Sequence, residues 1–192
     1  MAAQALRLVV GLGNPGDEYA RTRHNAGFWL IDELARRHGG TFRNEPRHQG
    51  EMARVQVGST DLWLLKPMTF MNRSGAAAQS VAAFYKIAVD EVLVAYDELD
   101  FPPGTVRLKQ GGGAAGHNGV SDIMALLGEN FWRLRIGIGR PPGKGIEHVL
   151  SRPSAEDENL IRQSLSAAAD ALPVLLEQGP QAARTKLHTQ CP

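Results

Sequence analysis

Histidine, carboxylate and carboxamide side chains recur in segments that separate the apolar runs of this chain. His24 lies in a polar stretch over residues 14–25 that also carries Asn14 and Tyr19, and Phe70, Met71 and Asn72 lie within 66–75. Asp97 opens the acidic run Asp97-Glu98-Leu99-Asp100, and Asn118 follows His117 in a glycine-rich stretch over 111–119. An imidazole can take a proton from water, with a carboxylate behind it fixing the tautomer and supporting the cation formed. Carboxamides can donate hydrogen bonds to a developing oxyanion. No Ser or Cys stands in a G-x-S-x-G setting, so water is the expected attacker. Each residue also has a local use. His24, Asn72 (or Ser74) and Asn118 can cap helices, and Asp97 can form an Asx turn after its strand. His117 and His148 read most simply as surface or supporting residues. There is no H-x-x-x-H, H-E-x-x-H or Cys cluster, so no metal is expected. Asp97 with Asp100 in one turn is too little to mark a two-metal nuclease.

The elements that must position these groups alternate in type. Residues 6–12 form a short apolar run ending in glycine and predict a buried strand. Apolar spacing predicts a helix over 25–37, strands over 52–57 and 62–65 joined as a hairpin, and an Ala-rich helix over 74–87. Residues 91–96 are strand-like, 105–109 alternate as a strand, 118–127 predict a helix and 132–138 a strand. Residues 139–145 read as a Pro/Gly loop. Ser154 with Asp157 resembles a capping box opening a helix to about Leu172, before Pro173, and a short helix is expected over 181–188. Interleaved strands and helices with hairpins mixed in predict an α/β fold, a single domain over 1–192 with a twisted mixed β-sheet flanked by α-helices.

Composition narrows the classes. The chain has 192 residues, 43% of them hydrophobic, and 21 basic against 20 acidic side chains. That suits one globular core and neither demands nor excludes a nucleic-acid partner. The single Cys191 rules out an intrachain disulfide, points to a reducing compartment, and is a poor nucleophile if the terminus is mobile. The first residues do not form a signal-peptide pattern and no run is long enough to span a bilayer, so a cytoplasmic protein is expected.

Gly11-Leu12-Gly13-Asn14-Pro15-Gly16 matches G-x-G-x-x-G, the dinucleotide-binding fingerprint. That site needs a helix opening at the glycines and an acidic strand end about 20 residues on. Pro15 interrupts, the helical pattern starts only near Asn25, and Asp32 and Glu33 fall inside it. The context argues against a nicotinamide cofactor, and the glycines read as a bend.

The ordered motifs are more specific. Val10-Gly11-Leu12-Gly13-Asn14-Pro15-Gly16, Thr22-Arg23-His24-Asn25-Ala26-Gly27-Phe28, Lys66-Pro67-Met68-Thr69-Phe70-Met71-Asn72-Arg73-Ser74-Gly75, Asp97-Glu98-Leu99-Asp100, Gly116-His117-Asn118-Gly119 and Arg133-Leu134-Arg135-Ile136-Gly137-Ile138-Gly139-Arg140-Pro141 resemble the bacterial-type peptidyl-tRNA hydrolases, in that family's order. The resemblance implies a monomeric, cofactor-free enzyme that cleaves the ester between a peptide and the 3′-terminal ribose of tRNA. It implies His24 as general base, Asp97 as its supporting carboxylate, and Asn14 as a contact to the peptide that selects N-blocked substrate. Tyr19, Phe70, Asn72 and Asn118 would contact the aminoacyl end and Met71 would line the cleft. The family often has Tyr where Phe70 stands, His where Tyr96 stands, and His-Gly at Ala114-Ala115.

Holding tRNA needs cations. Arg107, Lys109, Arg133, Arg135, Arg140 and Lys144 lie between residues 105 and 145, against Asp122 and Glu129. Lys109, Arg140 and Lys144 are the expected phosphate contacts; Arg133 and Arg135 can equally be outward residues of a half-buried strand. A non-catalytic RNA-binding protein is the competing reading.

Overall fold

The computed structural model describes residues 3–192, so Met1 and Ala2, which open the segment without a signal-peptide pattern, lie outside the described residues. Seven strands form one mixed sheet in the order β2-β3-β4-β1-β5-β7-β6. They are β1 (Leu8–Gly11), β2 (Arg43–Glu45), β3 (Gly50–Val57), β4 (Thr60–Pro67), β5 (Val92–Glu98), β6 (Val106–Gln110) and β7 (Trp132–Gly137). The central strands β4, β1, β5 and β7 run parallel, and β2–β3, β3–β4 and β6–β7 pair antiparallel. The expected hairpin is therefore present, with strands longer than the apolar runs alone suggested. Polar residues at a sheet edge continue the backbone ladder where hydropathy gives no signal.

Period-two alternation sorts β1 and β5 between two cores. Leu8, Val10, Val92, Val94 and Tyr96 pack with α2 (Ser74–Phe84) and α3 (Asn118–Leu127). Val9, Leu93 and Ala95 pack with α1 (Ala26–His38), α5 (Ala155–Gln178) and α6 (Pro180–Gln190). Strands buried on both faces read as continuous apolar runs, as β1 and β5 do.

Two expectations change and one element is added. The expected loop is present through residue 144 and leads into a short helix, α4 (Gly145–Val149), which apolar periodicity cannot reveal over five residues. Helix α5 continues through Pro173, because Leu172, Leu175 and Leu176 are buried in the core and their packing carries the helix past a missing backbone donor. The C-terminus is not loose: Cys191 is buried, and Arg107 donates to the Cys191 and Pro192 carbonyls at 2.9 Å each. Burial pushes the Cys191 thiol above its ordinary range, against a smaller opposing effect of Arg107, so it is inert for a different reason from terminal mobility. Among the described residues no helix is long and apolar enough to cross a membrane.

The bend after β1 does what a dinucleotide cradle does not. No helix begins until Ala26, after a 3-10 turn over Arg23–Asn25. Helix α1 then lies directly on the sheet through glycine. A Cβ on Gly27 would collide with the Ala95 carbonyl and with the Leu12 backbone. This contact sets how close His24 and Asn25 come to the ends of β1 and β5. Gly27→Ala should therefore destabilise the fold by about 1–3 kcal/mol through overpacking, although alanine is worth ~0.5–1 kcal/mol more than glycine in a helix interior. Urea unfolding measures the sign, and an unchanged or raised midpoint would contradict the close approach.

Candidate functional site

The site gathers where β1 and β5 end, the usual place for a ligand on an open parallel sheet. Asp97 is the sixth residue of β5, and alternation turns it to the face carrying Leu93 and Ala95, against the start of α1. His24 sits in the 3-10 turn before α1, so its ring arrives beside Asp97. His24 Nδ1 is 2.8 Å from Asp97 Oδ2, and His117 Nε2 is 2.8 Å from Asp97 Oδ1. One buried carboxylate thus bridges two imidazoles whose ring centres are 5.0 Å apart. Burial opposes ionisation of Asp97, but the charges and hydrogen bonds of His117 and His24 together overcome it and hold the carboxyl well below the usual range. The same three side chains have metal-compatible spacing, with donor atoms within 4.8 Å of one another. Here, though, both Asp97 oxygens are taken by imidazole nitrogens.

His117 corrects the sequence reading. It is the N-cap of α3, its Nδ1 3.3 Å from the Val120 N–H, while its Nε2 reaches Asp97. It caps the helix in place of Asn118, which leaves the Asn118 side chain to line the cavity. Likewise neither His24, Asn72 nor Ser74 caps its helix through its side chain, and Asp97 spends its oxygens on histidines rather than on a turn.

Asn25, which no sequence pattern marks, is buried and holds Asn14 in place; neither lines the cavity beside His24. The Asn25 Oδ1 accepts from the Asn14 N–H and its Nδ2 donates to the Asn14 carbonyl, both at 2.9 Å. The carboxamide that could have capped α1 is used across the bend instead. Asn14 Oδ1 accepts from the Met71 N–H at 2.7 Å, which fixes the orientation of the amide. Its Nδ2 has no protein hydrogen-bond partner among the described residues. The only signal for Asn25 was its place directly after His24.

A cavity of about 390 Å³ opens over these groups, lined by His24, Asp97, Asn118, Arg140, Ile146 and Val149 among others. That size suits a small organic group. Ile146 and Val149 come from α4, and Arg23 ties this segment to the His24 turn by donating to Ser151 Oγ at 2.6 Å and to the Arg152 carbonyl at 3.1 Å. Buried Met71 is bonded to Asn14 through its N–H, and the rings of Tyr19 and exposed Phe70 meet edge to face at 6.5 Å. Asn72 is exposed in the 3-10 turn over Met71–Arg73 and does not line the cavity.

The cations divide. Arg133, which could have been an outward strand residue, is fully buried and donates to the Gly112 and Glu129 carbonyls at 2.7 and 3.0 Å and to the Gly113 carbonyl. It pins the glycine-rich loop, whose free carbonyls supply the acceptors that the strand face lacks. Arg135 pairs with Glu98 at 2.7 Å. Lys109 is near the end of β6, and burial, then the neighbouring Arg135 and Arg133, lower its pKa. Arg140 lines the cavity and is ion-paired with Asp100 at 2.5 Å, and exposed Lys144 is the N-cap residue of α4. Lys109 and Lys144 do not line the cavity.

Known proteins are similar to this chain over nearly its whole length. The family model described as peptidyl-tRNA hydrolase matches residues 8–191. A peptidyl-tRNA hydrolase of Halorhodospira halophila is 51% identical over 185 residues, covering 95% of each chain. That of Neisseria gonorrhoeae is 46% identical over 191 residues, covering 98% of this chain and all of its own. The crystal structure of peptidyl-tRNA hydrolase from Acinetobacter baumannii superposes with a TM-score of 0.93 at 43% identity, covering 97% of this chain and 96% of that one. On sequence, fold and the extent of both, the chain belongs to the peptidyl-tRNA hydrolase family.

Proposed function

We propose that the protein hydrolyses the ester joining a peptide, or an N-blocked amino acid, to the 3′-terminal ribose of tRNA, with His24 activating water. Family membership supports the substrate class. The observation that carries the mechanism is the commitment of His24 Nδ1 to the buried Asp97 carboxylate. A proton shared on that side leaves Nε2, without a protein partner among the described residues, to act from the cavity wall.

In this reading Nε2 takes a proton from water as the water oxygen attacks the ester carbonyl. The tetrahedral oxyanion is stabilised by carboxamide donors, Asn118 in the cavity and Asn14 through its Nδ2, while exposed Asn72 contacts the aminoacyl end. The bond to the ribose oxygen then breaks, and His24 returns its proton to that oxygen. Free tRNA and the peptide acid leave. A peptidyl ester is activated relative to an amide, so no covalent nucleophile is needed, and no cofactor enters the scheme. Tyr19, Phe70 and Met71 would contact the aminoacyl end. Lys109, Arg140 and Lys144 would meet tRNA phosphates, Arg140 after exchanging its solvent-exposed partner Asp100. The reading carries with it a cytoplasmic monomer. A non-catalytic RNA-binding protein would use the same cations but gives the bridged, buried Asp97 no purpose.

The assay follows ester loss from N-acetyl-aminoacyl-tRNA and from free aminoacyl-tRNA. The folded protein should cleave the first and spare the second, and His24→Ala should lose about 10²–10⁴-fold in rate. Absence of cleavage by the well-folded protein sinks the enzymatic reading, and full activity in His24→Ala sinks the base assignment.

Asn14→Asp isolates the amide donor. Its oxygen can still accept from the Met71 N–H, so the bend should persist, while the Nδ2 donor is lost. Cleavage of the N-blocked ester should fall by about 10²-fold, the cost of one well-placed donor. Wild-type rates in this variant would remove Asn14 from the chemistry.

A further inference from the structure

On the α2 face of the sheet, toward the β2 edge, aromatic and guanidinium groups form a row that the hydrolytic site does not use, running from Trp63 and Arg54 to His48 and Arg47 just before β3. Trp63 on β4 is paired in register with Leu8 at the start of β1, whereas the cleft lies beyond Gly11 at its far end. Helix α2 starts beside Met71 and has 11 residues, while β3 and β4 have eight each. That makes the helix roughly 16 Å long against about 26 Å of strand, so α2 ends before the sheet face does. Trp63 lies about 13 Å back along β4 from Pro67, near where α2 ends, and is half-buried against that side of the core, with exposed Arg54 directly opposite it on β3.

The end of α2 turns its own aromatics toward this pair. The Trp63 and Tyr85 ring centres are 4.9 Å apart, those of Tyr85 and Phe84 4.8 Å, and those of Phe84 and His48 5.4 Å. Guanidinium groups stand at both ends, Arg54 5.7 Å from the Trp63 ring centre and Arg47 5.0 Å from that of Phe84. Arg7 donates to the Tyr85 and Lys86 carbonyls at 3.0 Å each, adding a third guanidinium beside exposed Lys86. Carboxylates accompany these cations: Asp61, 3.4 Å from Arg54, Glu45, whose charge acts on His48, and Glu91, whose carbonyl accepts from the Arg7 N–H and whose side chain accepts from the Ala88 N–H. Phe84 is 52% exposed.

We propose that this row is a second RNA contact, which binds an unpaired segment by base stacking on Phe84 and its neighbouring rings and by phosphate contacts to Arg47, Arg54, Arg7 and Lys86. Aromatic platforms flanked by cations hold single strands in this way, because every base has a π-face and every linkage a negative charge. Excess positive charge favours RNA over an acidic protein surface only together with the apolar pattern. Of the exposed large hydrophobics Phe70, Phe84, Leu126, Ile146 and Leu150, Phe84 alone belongs to the row, too little for the dry apolar centre of a protein interface. The proposal goes beyond the ester-hydrolase reading and stands without it.

The probe is a dodecauridylate labelled with fluorescein, its binding followed by anisotropy at several salt concentrations. The wild-type protein should bind it at low salt, and Arg47→Glu with Arg54→Glu should weaken binding at least ~10-fold. Loss of two phosphate contacts should lower the slope of log affinity against log salt by about 1.4. Phe84→Ser should weaken binding about 5- to 100-fold. Unlabelled dodecauridylate should quench tryptophan emission through Trp63, since Trp29 and Trp132 are only 7% and 5% exposed, and Trp63→Phe should abolish the quench. That quench should survive Lys109→Ala with Lys144→Ala, which separates this surface from the cleft side. Ester hydrolysis by the double-glutamate variant should be unchanged, so failure of either reading is visible by itself. No binding by the wild type, equal binding by the double-glutamate variant, or competition by polyglutamate as strong as by unlabelled oligonucleotide would overturn the proposal, the last in favour of an acidic protein partner.

Discussion

The Asp97 carboxylate, buried at the end of β5 and bonded on each oxygen to a different imidazole, is the constraint around which the site is arranged. A lone carboxylate in that position would be costly to ionise. With His24 and His117 both 2.8 Å away, its ionised form is favoured instead. The coupling runs in both directions, because the carboxylate also decides which face of each ring is committed and which is left over. His24 is left with one nitrogen that has no protein partner among the described residues. His117 is left with one nitrogen for the start of α3, so the carboxylate also aligns the helix that begins with Asn118.

Such a bridge works only if three chain segments converge closely. Glycine supplies the approach on the α1 side, where Gly27 lies against the backbone of β1 and β5. Asn25 locks the bend after β1 to the same turn with two hydrogen bonds, and Asn14 passes that rigidity on to Met71. On the other side Arg133 holds the glycine-rich loop by its carbonyls. Backbone carbonyls, not a carboxylate, surround this buried cation, which suits a loop that has acceptors to spare. Both anchors fix backbone close to the Asp97–histidine bridge without occupying the cavity.

The alternating cores of β1 and β5 were legible because strands buried on both faces are apolar throughout, and α1 and α3 were legible from 3.6-residue spacing. His24, Asp97 and Asn14 were legible through motif order, which fixes residue type and neighbourhood. Partnership across the chain was not. His117 lies 20 residues from Asp97 in sequence, and Asp97 lies 73 from His24. No local pattern separates a histidine that caps a helix from one that does so while binding a distant carboxylate. Arg133 misled for the same reason: strand alternation gives the face, while a neighbouring loop decides whether that face meets water. Helix α5 outlasted Pro173 because burial of the residues around it outweighs one lost bond, a tertiary effect invisible to residue propensity.

The account turns on where the proton of His24 resides. Two-bond 1H–15N correlation spectra of the ¹⁵N-histidine-labelled protein, with His24 assigned by comparison with His24→Gln, report the tautomer of its ring directly. The neutral ring should be the Nδ1–H form, protonated toward Asp97 Oδ2, with Nε2 carrying the free lone pair. A neutral ring found as the Nε2–H form would leave no base facing the cavity and would contradict the account.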